Sequence, residues 1–155
     1  MHRMLCLGAL ALAACRDGKP GDWLKGSDDD KFHRIETQLR GLDMTMVEVG
    51  YRYSELYFAG QDRNWEVAKY QAEKIRLTIQ LGVERRPKRA ASAELFLAED
   101  LPPALAAVEK KDEKAFAGAF DRLRAGCMKC HVAEKVPFFI VELPEHRLSP
   151  IRAPR

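Results

Sequence analysis

Residues 112–131 read DEKAFAGAFDRLRAGCMKCH, and this stretch decides the fold. Its apolar positions are spaced by three or four residues: Phe116, Phe120, Leu123, Cys127 and Cys130. That spacing predicts an amphipathic helix with one buried face. Asp112 stands where an N-cap residue is expected. Both cysteines continue the apolar stripe, so we expect their thiols to face the core.

The stretch ends in a C-x-x-C-H pentapeptide, residues 127–131. This pattern is typical of the attachment site of a single c-type haem, in which Cys127 and Cys130 form thioether bonds and His131 binds the iron. On a helix all three side chains lie on one face. The alternatives are a zinc site or a thiol redox pair. A zinc site needs two further ligands, and the sequence has no second Cys/His pair at similar spacing.

The start of the chain predicts export. Residues 1–14 hold an early Arg3 and a short apolar run, which is too short to remain as a membrane-spanning helix. The ending Leu12-Ala13-Ala14-Cys15 resembles the lipobox of bacterial lipoproteins, which implies cleavage before Cys15 and a lipid on that residue. A plain secretory signal beside a free thiol is the alternative. We expect a lipid-anchored protein on the periplasmic side of a bacterial membrane, with residues 15–28 as a flexible tether.

Composition and periodicity predict one all-α domain. The formal net charge of +3 over 155 residues gives no sign of nucleic-acid binding. Residues 29–131 divide into four amphipathic segments, and we predict an antiparallel four-helix bundle with residues 132–155 as a tail packed on it. The first helix is predicted over 29–58, and the second begins after a cap at Asn64. The third, over 92–110, must break or kink at Pro102 and Pro103.

This layout resembles the class II c-type cytochromes, namely cytochrome c′ and its low-spin relatives of the cytochrome c-556 type. The resemblance rests on four helices with the C-x-x-C-H motif near the end of the last one. It implies a haem inside the bundle and a distal iron position facing the first helix. It also makes a homodimer through the first two helices plausible. The broken third segment and the long tail after His131 depart from the family pattern.

The distal residue decides between electron transfer and gas binding, because an iron with an open position binds small gases. Met46 lies on the apolar stripe of the first helix and Met44 does not, so Met46 is the candidate distal ligand. The alternative is that Met46 only fills space in the core. His33 lies off the stripe, and His146 could bind iron only if the tail folds back over the haem.

We therefore expect a monohaem electron carrier with His131 and Met46 as axial ligands and a periplasmic redox partner. The alternative is a five-coordinate protein that binds nitric oxide or carbon monoxide. An enzyme such as a peroxidase is disfavoured, because the sequence shows no distal acid–base pair. The chain also has a basic cluster: Arg85, Arg86, Lys88 and Arg89. We interpret it as positive charge that interacts favourably with the dipole at the C-terminal end of a helix. The alternative is a surface that docks an acidic redox partner or contacts the haem propionates.

Overall fold

A computed structural model describes residues 22–152 of the chain. The predicted signal at residues 1–14 and the candidate lipid-bearing Cys15 lie outside the described residues, as do residues 153–155. The described residues are helical with no strand, which confirms the all-α prediction. They fall into two compact units, 22–38 and 39–152. No helix among them is long and apolar enough to cross a membrane.

Helix α1 spans Asp28–Leu39 and carries three aspartates in its first turn. Ser27 caps it, because the Ser27 Oγ accepts a hydrogen bond from the Asp30 backbone N–H at 3.2 Å. None of its residues is buried, and Phe32 is 70% exposed.

The prediction of one unbroken helix over 29–58 is wrong, because the helix divides into α1 and α2, Leu42–Gln61. Arg40 has φ 55°, in the left-handed region, and Gly41 is extended. Neither conformation continues a right-handed helix. Asp43 stabilises the new start, because its Oδ1 accepts from the Gly41 N–H at 3.1 Å and its carboxylate pairs with Arg40.

Helix α3 spans Trp65–Arg85 and packs along α2. The predicted cap at Asn64 is confirmed, because its Oδ1 accepts from the Val67 N–H at 3.4 Å. Near the start of α2, Arg85 donates to Thr45 Oγ1 at 3.3 Å. Nearer its middle, Arg52 donates to Gln71 Oε1 at 3.0 Å. These two bonds fix α2 and α3 against each other at separate points.

The third helical segment is interrupted as predicted. It consists of α4, Ala90–Leu95, a π-helical turn at Phe96–Asp100, and α5, Pro102–Glu109. The two prolines occupy the first turn of α5, where a missing N–H costs no intrahelical bond. The π-helical turn packs against the last helix and brings Asp100 into the interior, with 1% of its surface exposed.

Helix α6 spans Glu113–Ala133 and contains the whole C-x-x-C-H motif. The predicted cap is confirmed, because Asp112 Oδ1 accepts from the Ala115 N–H at 2.9 Å. The core between α2, α3, α4–α5 and α6 is built on fully buried apolar side chains: Leu56, Ile75, Leu101, Val108, Phe116, Phe120 and Leu123. These four helical segments are compatible with the predicted four-helix bundle.

The chain after α6 contains no helix up to residue 152 and returns to α2. Arg147 binds both carboxylate oxygens of Asp62, at 2.6 and 2.8 Å. Its guanidinium also lies over the ring of Phe58, 4.8 Å from the centroid. Ser149 Oγ donates to Glu55 Oε2 at 2.7 Å. The tail is therefore held to α2 by polar contacts and not by a helix of its own.

Candidate functional site

One cavity collects the four residues that the sequence singled out. Met46 from α2 and Cys127, Cys130 and His131 from α6 all line it, and its volume is about 140 Å³. The rest of the lining is mainly apolar: Leu42, Val49, Gly50, Tyr53, Ile79, Ala93, Phe96 and Val141, with Arg89 at one side. A more open groove of about 590 Å³ shares Met46, Cys130 and His131 with it.

Aromatic packing joins the two helices that carry these residues. The ring of Tyr53 on α2 lies 4.7 Å from that of Phe120 on α6, and Tyr57 lies 5.1 Å from the same ring. Phe120 in turn packs on Phe116 at 5.8 Å. Because Tyr53 also lines the cavity, this cluster fixes the cavity wall next to Cys127. Burial raises the pKa of Tyr53 above its usual range, and its hydroxyl donates a hydrogen bond to the Glu142 carbonyl at 3.0 Å.

Both thiols are free and partly buried. Burial, with a smaller contribution from the neighbouring Cys130, raises the pKa of Cys127 to about 12. Burial and the nearby Glu134 carboxylate also raise the pKa of Cys130. In this fold both sulfurs are therefore neutral thiols at pH 7 and poor nucleophiles.

His131 is held by a main-chain acceptor from the segment that follows α6. Its Nδ1 lies 2.6 Å from the carbonyl oxygen of Phe139. A carbonyl can only accept, so Nδ1 carries a proton in this contact, and in the neutral ring the lone pair is then on Nε2. Histidines that bind metals commonly have their second ring nitrogen engaged in this way.

The side chains at the cavity fit a covalently attached haem. Two thiols at the required spacing and an imidazole with Nδ1 already engaged lie on a cavity with apolar walls. Met46 reaches the same cavity from α2, whereas Met44 does not line it. No group of three or more His, Cys, Asp or Glu side chains is arranged to hold a bare metal ion within residues 22–152.

No family model matches this chain. No curated protein and no solved structure matches it.

The other candidates from the sequence lie elsewhere. His33 is an exposed residue of α1. The His146 side chain is 88% exposed and does not line the cavity. In the basic cluster, Arg85 is engaged with Thr45, whereas Arg89 pairs with Glu134 and lines the cavity. Arg89 is thus the member of the cluster placed to meet a ligand in the cavity.

Besides the bond from the Val141 N–H to the Met128 sulfur, sequence reasoning missed two contacts to side chains of the pentapeptide. The Phe139 carbonyl is a main-chain group, which no residue pattern reveals. The second contact is made by the buried Asp100, whose Oδ1 lies 3.2 Å from Lys129 Nζ. The sequence shows Asp100 as an acidic residue just before the prolines that interrupt the third segment. It does not show the π-helical turn that directs this side chain inward.

Proposed function

We propose that this chain is a monohaem c-type cytochrome that transfers electrons, with His131 and Met46 as the axial ligands of the iron. The observation that carries the proposal is the cavity lined by Met46, Cys127, Cys130 and His131 together. Met46 precedes the other three residues by more than 80 positions in sequence, and the fold brings all four to one apolar cavity.

When bound, the haem supplies a one-electron redox centre. Cys127 and Cys130 would hold it to α6, and His131, whose Nδ1 is engaged by Phe139, would offer Nε2 to the iron. Met46 lines the cavity from α2 and would supply its thioether sulfur. The apolar walls would limit water around the iron, and Arg89 in the cavity lining would bind a propionate.

The arrangement of the helices and the oligomeric state are part of the same proposal. We propose an antiparallel four-helix bundle of the class II cytochrome kind over residues 29–131. The bonds Thr45–Arg85 and Arg52–Gln71 support it, because the partner on α3 moves back along the chain as α2 advances. A homodimer through α2 and α3 is compatible with the exposed apolar side chains of these helices: Met44, Val47, Tyr51, Leu77 and Leu81.

We further propose a location and partners. The signal at residues 1–14 directs export, a lipid on Cys15 tethers the domain, and the haem faces a periplasmic redox partner. Nothing in the near-neutral charge balance supports binding to nucleic acid.

The test is expression of the full chain together with a haem c attachment system. We expect the mass of one haem per chain, and ferric and ferrous absorption spectra of a low-spin iron with methionine ligation. The matched control is the double variant Cys127→Ala/Cys130→Ala, which should carry no covalent haem. A parent chain that folds without covalent haem would contradict the proposal.

One observation favours a gas-binding alternative. Met46 is 36% exposed, and the position that a Cβ would take at the neighbouring Gly50 has no atom within 4 Å beyond the adjacent backbone of its own helix and its two chain neighbours. The distal side therefore has room for Met46 to move away and for a small neutral ligand such as nitric oxide or carbon monoxide.

Met46→Ala separates the two functions. If Met46 binds the iron, the substitution converts the spectrum to high spin and speeds gas binding at least tenfold. If Met46 only packs, neither changes.

A further inference from the structure

Backbone groups of residues 136–142 make three hydrogen bonds to side chains beside the cavity. The Phe139 carbonyl lies 2.6 Å from His131 Nδ1. The Val141 N–H donates to the sulfur of Met128 at 3.2 Å, inside the C-x-x-C-H motif. The Glu142 carbonyl accepts from the Tyr53 hydroxyl at 3.0 Å. Two of these bonds end on the pentapeptide and the third on the cavity wall.

The side chains of this segment do not explain its position. Phe138 and Ile140 are 69% and 70% exposed, and Phe139 is 61% exposed. Val141 alone packs against the core. Burial of apolar surface therefore contributes little, and the specific contacts come from backbone groups aimed at His131, Met128 and Tyr53.

The segment is fixed at both ends. At the start, the Val136 N–H donates to the His131 carbonyl at 2.8 Å, and the Phe139 N–H closes a turn onto the Val136 carbonyl at 3.1 Å. Beyond the end, Arg147 makes its paired contact with Asp62 on α2. The Phe139 carbonyl is thus held in place from two directions.

We propose that residues 136–142 act as a proximal strap that sets the orientation and electron-donating strength of His131 toward the haem iron. The inference rests on the proposed haem function. It identifies the Phe139 carbonyl as the hydrogen-bond acceptor that controls His131, the proximal ligand. A hydrogen bond from Nδ1 fixes the ring and increases the basicity of Nε2. A more basic ligand favours the oxidised iron, so the strap lowers the reduction potential. Pro137 lies inside the turn that the Phe139 N–H closes onto Val136, and Arg147 anchors the far end of the strap. Both are positioning residues, because they act through Phe139 and do not line the cavity.

The test uses the full-length, haem-loaded protein. Arg147→Met removes the far contact, and the matched control is Arg152→Met, whose side chain, within the described residues, donates to two carbonyls of the tail itself, those of Ser149 and Ile151. Pro137→Gly loosens the turn at an exposed position without removing any donor. For each variant we would measure haem content, the reduction potential, and the rate at which the His131 Nδ1 proton exchanges with solvent by NMR.

We expect both Arg147→Met and Pro137→Gly to raise the exchange rate at least tenfold and to shift the potential upward, with Arg152→Met matching the parent. Unchanged exchange and unchanged potential in both variants, at normal haem content, overturn the strap and leave the cytochrome proposal intact. A parent protein without covalent haem instead counts against the proposed function itself.

Discussion

Asp100 and Lys129 form an ion pair, with Nζ 3.2 Å from Oδ1, although 29 residues separate them in sequence. The carboxylate is buried and also accepts from Arg122 Nε at 3.3 Å. It leaves no room beside the motif, because a Cβ at Gly126 would lie 2.5 Å from Asp100 Oδ2. The π-helical turn thus fixes the backbone that leads into Cys127.

The first prediction concerns that ion pair. Asp100→Asn should lower the free energy of unfolding by about 1.5–3 kcal/mol, because it removes charge-assisted hydrogen bonds to two cations. Both cations are half-exposed and regain water, which keeps the loss below that of a fully buried pair. Urea unfolding of the purified protein measures it.

The matched control is Glu99→Gln, the neighbouring acid, which is exposed and 3.7 Å from Arg122. It should change stability by less than about 0.5 kcal/mol. Equal effects of the two substitutions would show that Asp100 has no special role.

The second prediction concerns the close approach of α2 to α6. A Cβ at Gly60 would lie 2.0 Å from Phe116 Cε1, so Gly60→Ala should destabilise the protein by about 2–3 kcal/mol through overpacking. Gly118→Ala in α6 is the control, since its added Cβ would meet no atom within 4 Å beyond the adjacent backbone of its own helix and its two chain neighbours. It should stabilise by up to about 1 kcal/mol, because alanine is the better helix former. Thermal unfolding of both variants tests the pair, and a harmless Gly60→Ala would contradict this packing.

The third prediction concerns pH and the haem-free chain under reducing conditions. The pKa of Cys127 is raised from 9.0 to about 12 by burial. Below pH 9 the thiol is neutral in both the folded and the unfolded state. Between pH 9 and 12 the unfolded chain loses this proton first, so stability falls as pH rises.

Chemical unfolding at pH 8 and pH 10.5 measures this loss. Cys127→Ala should show a smaller decrease between the two values than the parent, while Tyr53, whose raised pKa acts in the same direction, stays present in both proteins. Equal pH dependence would mean that Cys127 ionises as readily when folded as when unfolded.

The fourth prediction concerns the start of the motif-bearing helix. Asp112→Ala should cost about 1 kcal/mol, because the Ala115 N–H loses its acceptor and the helix N-terminus loses a negative charge. Asp112→Asn keeps the acceptor and should cost less. Denaturation midpoints of the two variants provide the comparison.

The helices and their caps were largely predictable, because apolar spacing and cap residues are local signals. Asn64 and Asp112 cap as expected, and the prolines at 102 and 103 interrupt the third segment. The break after Leu39 was not predicted, because the spacing of the stripe continues through Arg40 and Gly41 while their backbone conformation does not. Periodicity records where side chains would point if the helix continued, and it cannot register a left-handed residue.

The residues of the candidate site were predictable as types but not as a set of contacts. The pentapeptide fixed Cys127, Cys130 and His131, and the stripe distinguished Met46 from Met44. The partners of the motif were hidden for two different reasons. Phe139 acts through its carbonyl, which every residue possesses, and Asp100 reaches Lys129 only because a π-helical turn rotates it inward.

The contact between Asp62 and Arg147 closes a loop of 85 residues. Closing a flexible loop of that length costs about 4 kcal/mol of chain entropy. A partly exposed ion pair cannot offset such a cost, so the contact forms only once the helices have already brought the two ends of the loop together. Docking of the tail through Arg147 therefore follows the assembly of the helices. Until that step the segment that carries the Phe139 carbonyl is anchored at its α6 end alone, so the orientation of His131 is completed after the helices have packed.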